Sequence, residues 1–200
     1  MNDKRRPLAL IIIDGWGYSP RREGNAVALA HTPYYDEISA KYPKTLLEAA
    51  GKRVGLPDGA AGSSEVGHMN IGAGRIVQTE ISKISRAIKT GRFYENPVLV
   101  RAFNRAREAG ASVHLVGLLS DGDVHSSQAT VFALLGLARR AGLENVFVHG
   151  ILDGRDVPPR TADVYVEALE IKLADIGAGR VASVCGRHYA MDKDRNWASC

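Results

Sequence analysis

The sequence predicts an α/β fold built on a mainly parallel sheet, and three observations carry that prediction. From residue 113 onward, short apolar runs rich in β-branched residues alternate with helix-length segments. Each of these runs ends in a polar, glycine-bearing loop: Ser120-Asp121-Gly122-Asp123-Val124-His125, then Asp153-Gly154-Arg155-Asp156, then Gly186-Arg187-His188. Near the N-terminus, residues 8–13 form a continuous apolar run of the kind buried on both faces of a sheet, which Asp14-Gly15-Trp16-Gly17 ends.

Taken in order, residues 8–13 are expected to form a strand with Asp14 at its C-terminal end. Residues 32–42 are expected to be helical, because Thr32-Pro33 suits an N-cap followed by the first helical position. Residues 45–50 suit another short strand. A glycine-rich loop follows, with Ser64 before Glu65 as the expected cap of a further helix. Residues 80–90 and 96–109 read as helices, the second closing at Ala109-Gly110 with arginines in its later turns. Strands are then expected at 113–119, 146–152 and 181–184, separated by helices at 128–141 and 162–176. Open parallel sheets bind ligands at the C-terminal ends of their strands, so the three polar loops are expected to face one site.

Composition narrows the function classes. Two hundred residues with 45% hydrophobic content suffice for one full domain, or a small domain plus part of another. Cys185 and Cys200 alone provide neither a disulfide scaffold nor a cysteine-rich zinc site, and a reducing cytoplasm is the expected setting. Lys4-Arg5-Arg6 precedes only a six-residue apolar run, short for a signal-peptide core, and no membrane span is visible. The net charge of +4 is spread along the chain without aromatic interleaving, which argues against a nucleic-acid surface. Small anionic substrates fit better, since Gly154-Arg155-Asp156 and Gly186-Arg187 set arginines in short polar loops.

The segment Ala-Ala-Gly-Ser-Ser-Glu-Val-Gly-His at positions 60–68 carries the strongest local signal. A serine at a helix N-terminus faces partial positive charge, which suits a phosphorylated or metal-bound hydroxyl. On spacing alone, an ordinary solvated turn with no chemistry is the better explanation. A serine-hydrolase elbow fails because position 66 is Val66 rather than glycine. A dinucleotide fingerprint fails because Gly72-Ala73-Gly74 lacks its third glycine.

Five motifs in succession resemble the cofactor-independent phosphoglycerate mutases: Ile13-Asp14-Gly15-Trp16-Gly17; Gly62-Ser63-Ser64-Glu65-Val66-Gly67-His68; Ser120-Asp121-Gly122 with His125-Ser126; Leu152-Asp153-Gly154-Arg155-Asp156-Val157-Pro158-Pro159; and Gly186-Arg187 with Ala190-Met191-Asp192. The resemblance implies part of an alkaline-phosphatase-like domain over residues 1–77, leading into the N-terminal part of an inserted α/β transferase domain over 78–200. It implies transfer of a phosphoryl group between the 2- and 3-hydroxyls of glycerate through a phosphoserine at Ser64. Asp14 and Ser64 match metal ligands of the family, which uses two Mn2+ or related divalent ions. Arg155 and Arg187 match arginines that grip carboxylate and phosphate. His125 and Asp156 match groups near the glycerate hydroxyls, with Asp156 as the proton shuttle and His125 orienting substrate.

This sequence also departs from the family pattern. Lys193 stands where another gripping arginine is usual, Ser63 replaces an asparagine, and His125-Ser126-Ser127 replaces a His-Ser-His run. Family members are well over twice as long, and their remaining metal ligands would lie beyond Cys200. The chain by itself is therefore expected to be an inactive N-terminal portion, monomeric, with phosphoglycerate as its small-molecule partner. A non-catalytic phosphoglycerate-binding fragment or subunit and a metal-dependent phosphatase of the same superfamily are the alternative readings. His31, His68, His114, His149 and His188 are expected to be structural or surface residues, and Trp16 and Trp197 packing residues.

Overall fold

The computed structural model describes residues 7–196 and 198. The expected packing role of Trp197, the Lys4-Arg5-Arg6 run and Cys200 lie outside them.

Three strands, β1 (Val113–Leu119), β2 (Val146–Leu152) and β3 (Arg180–Gly186), form a parallel sheet in the order β1-β2-β3. The α/β class and the parallel sheet are as the sequence indicates. Parallel neighbours need a crossover, and the helices at Gln128–Arg140 and Ala162–Ile176 provide it between successive strands. Here they are α6 and α7, because among the described residues five α-helices precede them: α1 (Ala26–Leu29), α2 (Pro33–Lys41), α3 (Ser64–Ala73), α4 (Glu80–Lys89) and α5 (Pro97–Glu108). A single turn, α8 (Arg187–Ala190), follows β3.

One face of the sheet carries the core. Alternation along each strand aims Leu119, Val146 and Val148 at Leu135 of α6 and Leu169 and Leu173 of α7. Leu119, Leu135 and Leu169 are fully buried. The opposite face carries a polar row. His114 and His149 join through Nδ1 and Nε2 at 2.9 Å, and His149 Nδ1 meets Ser183 Oγ at 2.8 Å. His114 also stacks on Phe147 with ring centroids 5.0 Å apart. These histidines thus link neighbouring strands.

Residues 8–13 and 45–50 do not form the expected strands. A strand exists only when a neighbouring backbone pairs with its N–H and C=O groups. Among the described residues no segment pairs with either run, and Leu8, Leu10 and Ile11 are left largely exposed. Thr32 is the N-cap of α2 and Pro33 opens the helix, as expected, although Thr32 Oγ1 donates to Asp36 Oδ1 and bonds no helix N–H. Trp16 packs edge-on against Tyr35, at 5.2 Å between centroids. Short α1, capped by Asn25 accepting from Ala28 N–H at 3.2 Å, was not anticipated.

Close packing between β1 and β2 requires glycine at position 150. A Cβ there would lie 2.6 Å from Leu119 Cδ1, whose side chain is fully enclosed. Gly150→Ala should therefore destabilise the fold by about 1–3 kcal/mol. The midpoint of urea unfolding should fall accordingly, and an unchanged midpoint would show that the core yields there at no cost.

Candidate functional site

Two groups of candidate residues stand out, one at the start of α3 and one at the C-terminal edge of the sheet.

The first is built on a helix terminus. Ser63, with extended backbone, is the N-cap of α3, and its Oγ accepts from Val66 N–H at 3.3 Å. Ser64 is the first helical residue, which corrects the expectation that Ser64 itself is the cap. Two adjacent serines are equally suited to capping by type, and the extended conformation of Ser63 decides between them. The side chain of Ser64 is thereby left free to face outward. Its hydroxyl donates to Asp14 Oδ2 at 2.6 Å, across fifty positions of sequence. One helical turn further on, His68 Nδ1 lies 2.8 Å from the Ser64 carbonyl oxygen and 3.3 Å from Ser64 Oγ. All three residues are exposed. His68 was expected to be a structural or surface residue; it is exposed, and its i, i+4 spacing from Ser64 was the signal that placed it beside the hydroxyl.

Local constraints hold this arrangement. A Cβ at Gly62 would lie 1.8 Å from the Ala49 carbonyl oxygen, so only glycine lets the loop before Ser64 run against that segment. Asn70 anchors the helix from its other end: its Nδ2 donates to Val54 O at 2.9 Å, and its Oδ1 accepts from Val77 N–H at 2.7 Å.

The second group forms where β2 and β3 end. Their register sets Leu152 opposite Gly186, so the next residues, Asp153 and Arg187, emerge side by side. Asp153 folds back over its own loop, and its Oδ1 accepts from the N–H groups of Arg155 at 3.0 Å and Asp156 at 3.1 Å. The same oxygen accepts from Arg187 Nη1 at 2.8 Å. Arg187 Nη1 also donates to Asp156 Oδ2 at 2.6 Å. Gly154 adopts φ +120°, a conformation open to glycine and strained for other residues.

The β1 loop closes on the same place. Gly122 runs so near Asp156 that a Cβ on it would lie 3.0 Å from Asp156 Cβ. Gln128 N–H donates to Ser120 O at 2.8 Å, and its side-chain amide donates to Tyr165 O at 2.9 Å. Tyr165 in turn donates its hydroxyl to Asp121 Oδ1 at 2.5 Å. That hydrogen bond, with burial, pushes the Tyr165 phenol up to about 12. Burial also works to raise the Asp153 carboxyl. It is outweighed by the Ser120 hydroxyl, the two loop N–H groups and the Arg187 guanidinium, which hold Asp153 well below the usual carboxylate range. Burial opposes the charge on Arg187 as well, and the two carboxylates more than offset it, so its pKa is raised.

Of the residues singled out from sequence, Asp14 and Ser64 are brought together, as are Asp156 and Arg187. Arg155 and His125 are exposed on their loops, and Lys193 lies exposed in a turn held by Asp192, which accepts from the N–H groups of Asp194 and Asn196. Among the described residues no hydrogen bond links the Ser64 pair to the Arg187 group. Sequence reasoning passed over Asp153, Ser120 and Tyr165, which hold the second group in place. For Asp153 the available signal was its position as the first residue past a strand, before Gly154.

The family model described as "BPG-independent PGAM N-terminus" matches residues 84–200. The 2,3-bisphosphoglycerate-independent phosphoglycerate mutase of Desulforudis audaxviator is 54% identical over 191 residues, covering 96% of this chain and 38% of that protein. The Pseudomonas entomophila protein of the same name is 49% identical over 197 residues, with 98% and 39% covered. A crystal structure of Leishmania mexicana phosphoglycerate mutase at low cobalt concentration matches with a TM-score of 0.71 at 35% identity, over 86% of this chain and 33% of that one. The chain thus spans 38–39% of the length of these curated relatives.

The charge state of Asp153 has a consequence for stability. Its folded pKa lies below the unfolded value of about 3.9, so its contribution is complete above that value and fades as pH falls toward the folded one. Between about pH 5 and pH 3 the unfolding free energy of Asp153→Asn should therefore decline less than that of the unsubstituted chain. Parallel urea titrations measure this, and identical slopes would remove Asp153 from the acid response.

Proposed function

The chain belongs to the 2,3-bisphosphoglycerate-independent phosphoglycerate mutase family, and from that premise we propose that it carries the phosphoryl-accepting serine and part of the substrate grip of an enzyme interconverting 2- and 3-phosphoglycerate. The observation that best supports this reading is the 2.6 Å contact between Ser64 Oγ and Asp14 Oδ2 at the start of α3. Asp14 orients the hydroxyl and accepts its hydrogen bond, and the positive end of the helix favours the anionic group that phosphorylation of Ser64 creates. At the sheet edge, Arg155 and Arg187 take the substrate's carboxylate and phosphate, Asp156 exchanges a proton with a glycerate hydroxyl, and His125 and Lys193 flank the ligand. In the same proposal residues 1–77 belong to the phosphatase-like part and 78–200 to the transferase part, and the protein is a cytoplasmic monomer. Among the described residues, no helix is long and apolar enough to cross a membrane.

Asp14 and Ser64 suit divalent ions such as Mn2+ in kind, being oxygen donors that converge. They are short in number: among the described residues no group of three or more His, Cys, Asp or Glu side chains could hold a metal ion. With its ligand set completed from elsewhere in the enzyme, the metal would favour the serine alkoxide and neutralise charge on the phosphoryl oxygens. For the chain by itself we therefore propose substrate binding without turnover.

Incubation with 3-phosphoglycerate and Mn2+, without 2,3-bisphosphoglycerate, should yield no 2-phosphoglycerate. Calorimetry should still detect 3-phosphoglycerate binding, weakened about tenfold or more in Arg155→Ala. Robust isomerisation would refute the two-donor limit, whereas release of inorganic phosphate would favour the phosphatase reading. In an enzyme of the relatives' length bearing these residues, Ser64→Ala should abolish turnover.

A further inference from the structure

Arg187 faces a problem of charge. Its side chain is 9% exposed and pairs with Asp153 and Asp156, whose side chains are 0% and 13% exposed. Two carboxylates around one guanidinium leave the group with a net charge of about −1, which repels an incoming phosphate or carboxylate. Both carboxylates are held by the same nitrogen, Nη1, so the guanidinium keeps other donors, but an anion approaching them meets this excess negative charge unless one carboxylate gives way.

The two carboxylates are held very differently. Asp153 Oδ1 accepts three hydrogen bonds, two of them from the backbone of its own loop, so moving it would open the turn. The side chain of Asp156 has one hydrogen bond among the described residues, the 2.6 Å contact with Arg187 Nη1. Its backbone N–H is separately tied to Asp153, so the side chain can swing away while the loop stays in place.

Resting on the substrate reading above, we propose that Asp153 is the positioning residue that keeps Arg187 aimed at the sheet edge, and that Asp156 is an exchangeable counter-charge which an arriving substrate anion displaces. The exchange makes and breaks only ion pairs. Once displaced, the Asp156 carboxylate is free to accept a hydrogen bond from the ligand's hydroxyl, so occupancy of Arg187 and availability of Asp156 are coupled. Asp156 therefore opposes anion binding at Arg187 even though it belongs to the site. A purely attractive role for Asp156 predicts the opposite sign.

The test titrates the 200-residue chain and its Asp156→Asn and Asp153→Asn variants with inorganic phosphate and with 3-phosphoglycerate by calorimetry, with circular dichroism and thermal melts to establish folding. Phosphate has no carbon-bound hydroxyl, so it reports the charge competition alone. Asp156→Asn should tighten phosphate binding by about tenfold, and a folded Asp153→Asn should weaken both ligands. Equal or weaker phosphate binding by Asp156→Asn, in a chain that binds 3-phosphoglycerate, would overturn the exchange and leave the substrate reading intact. Binding of neither ligand by any of the three chains would overturn both. Phosphate binding seen only with Asp156→Asn would support the exchange in its strongest form. Should Asp153→Asn fail to fold, the sign of the Asp156→Asn effect still decides.

Discussion

Parallel pairing of β1, β2 and β3 is the constraint on which the rest depends. Strands running the same way deliver all their C-terminal ends to one edge, and the crossover helices this requires bury the other side of the polypeptide path. The register fixes the heights: Leu119 pairs with Leu152, and Leu152 with Gly186, so the three loops begin level with one another. Close approach then follows from small residues. Gly150 brings β2 against Leu119, and Gly122 brings the β1 loop against Asp156. Asp153, Asp156 and Arg187 meet because of these backbone relationships, although the aspartates lie 34 and 31 positions from the arginine in sequence.

A second consequence is electrostatic. Arg187, at the end of the edge strand β3, is buried and loses much of its hydration, and a guanidinium in that position must be paired. Asp153 supplies the pairing and is itself held anionic by loop N–H groups that cost nothing in additional side chains. The turn that bears Arg155 and Asp156 is therefore also the brace for Arg187. Geometry and charge are settled by the same few atoms.

How much of this was legible in the sequence depends on the range of the interaction that decides it. The β1 and β2 bounds and that of α7 follow from local apolar runs and their punctuation, and they were readable residue by residue. Residues 8–13 have the same composition as a buried strand, yet pairing is a property of two segments and the second is not present beside them among the described residues. The cap of α3 turned on which of two identical residues itself has extended backbone, a distinction of conformation rather than type. Motif resemblance brought Arg187 and Asp156 forward as ligand-facing residues. It was silent on their contact with each other and on Asp153, because both arise from the β2 and β3 register. His68 was within reach of helical periodicity, but only after Ser64 was known to stand inside the helix.

The two site groups differ in how far they are prepared. At the sheet edge, Asp153, Ser120, Gln128 and Tyr165 form a network that fixes the loop, the Arg187 guanidinium and the Asp153 carboxylate, while among the described residues the Asp156 side chain is held by Arg187 alone. At the start of α3 the Ser64 hydroxyl is exposed, with Asp14 and His68 as its only side-chain partners among the described residues. That hydroxyl is oriented by the Asp14 carboxylate, and a serine becomes a useful nucleophile only when a base takes its proton or cations stabilise the alkoxide. The two groups are thus separately built parts of the chain. The sheet-edge group is tied together largely by its own bonds, although Asp153 Oδ2 is buried without a hydrogen-bond partner among the described residues, and the α3 group offers only the two oxygen donors of Asp14 and Ser64.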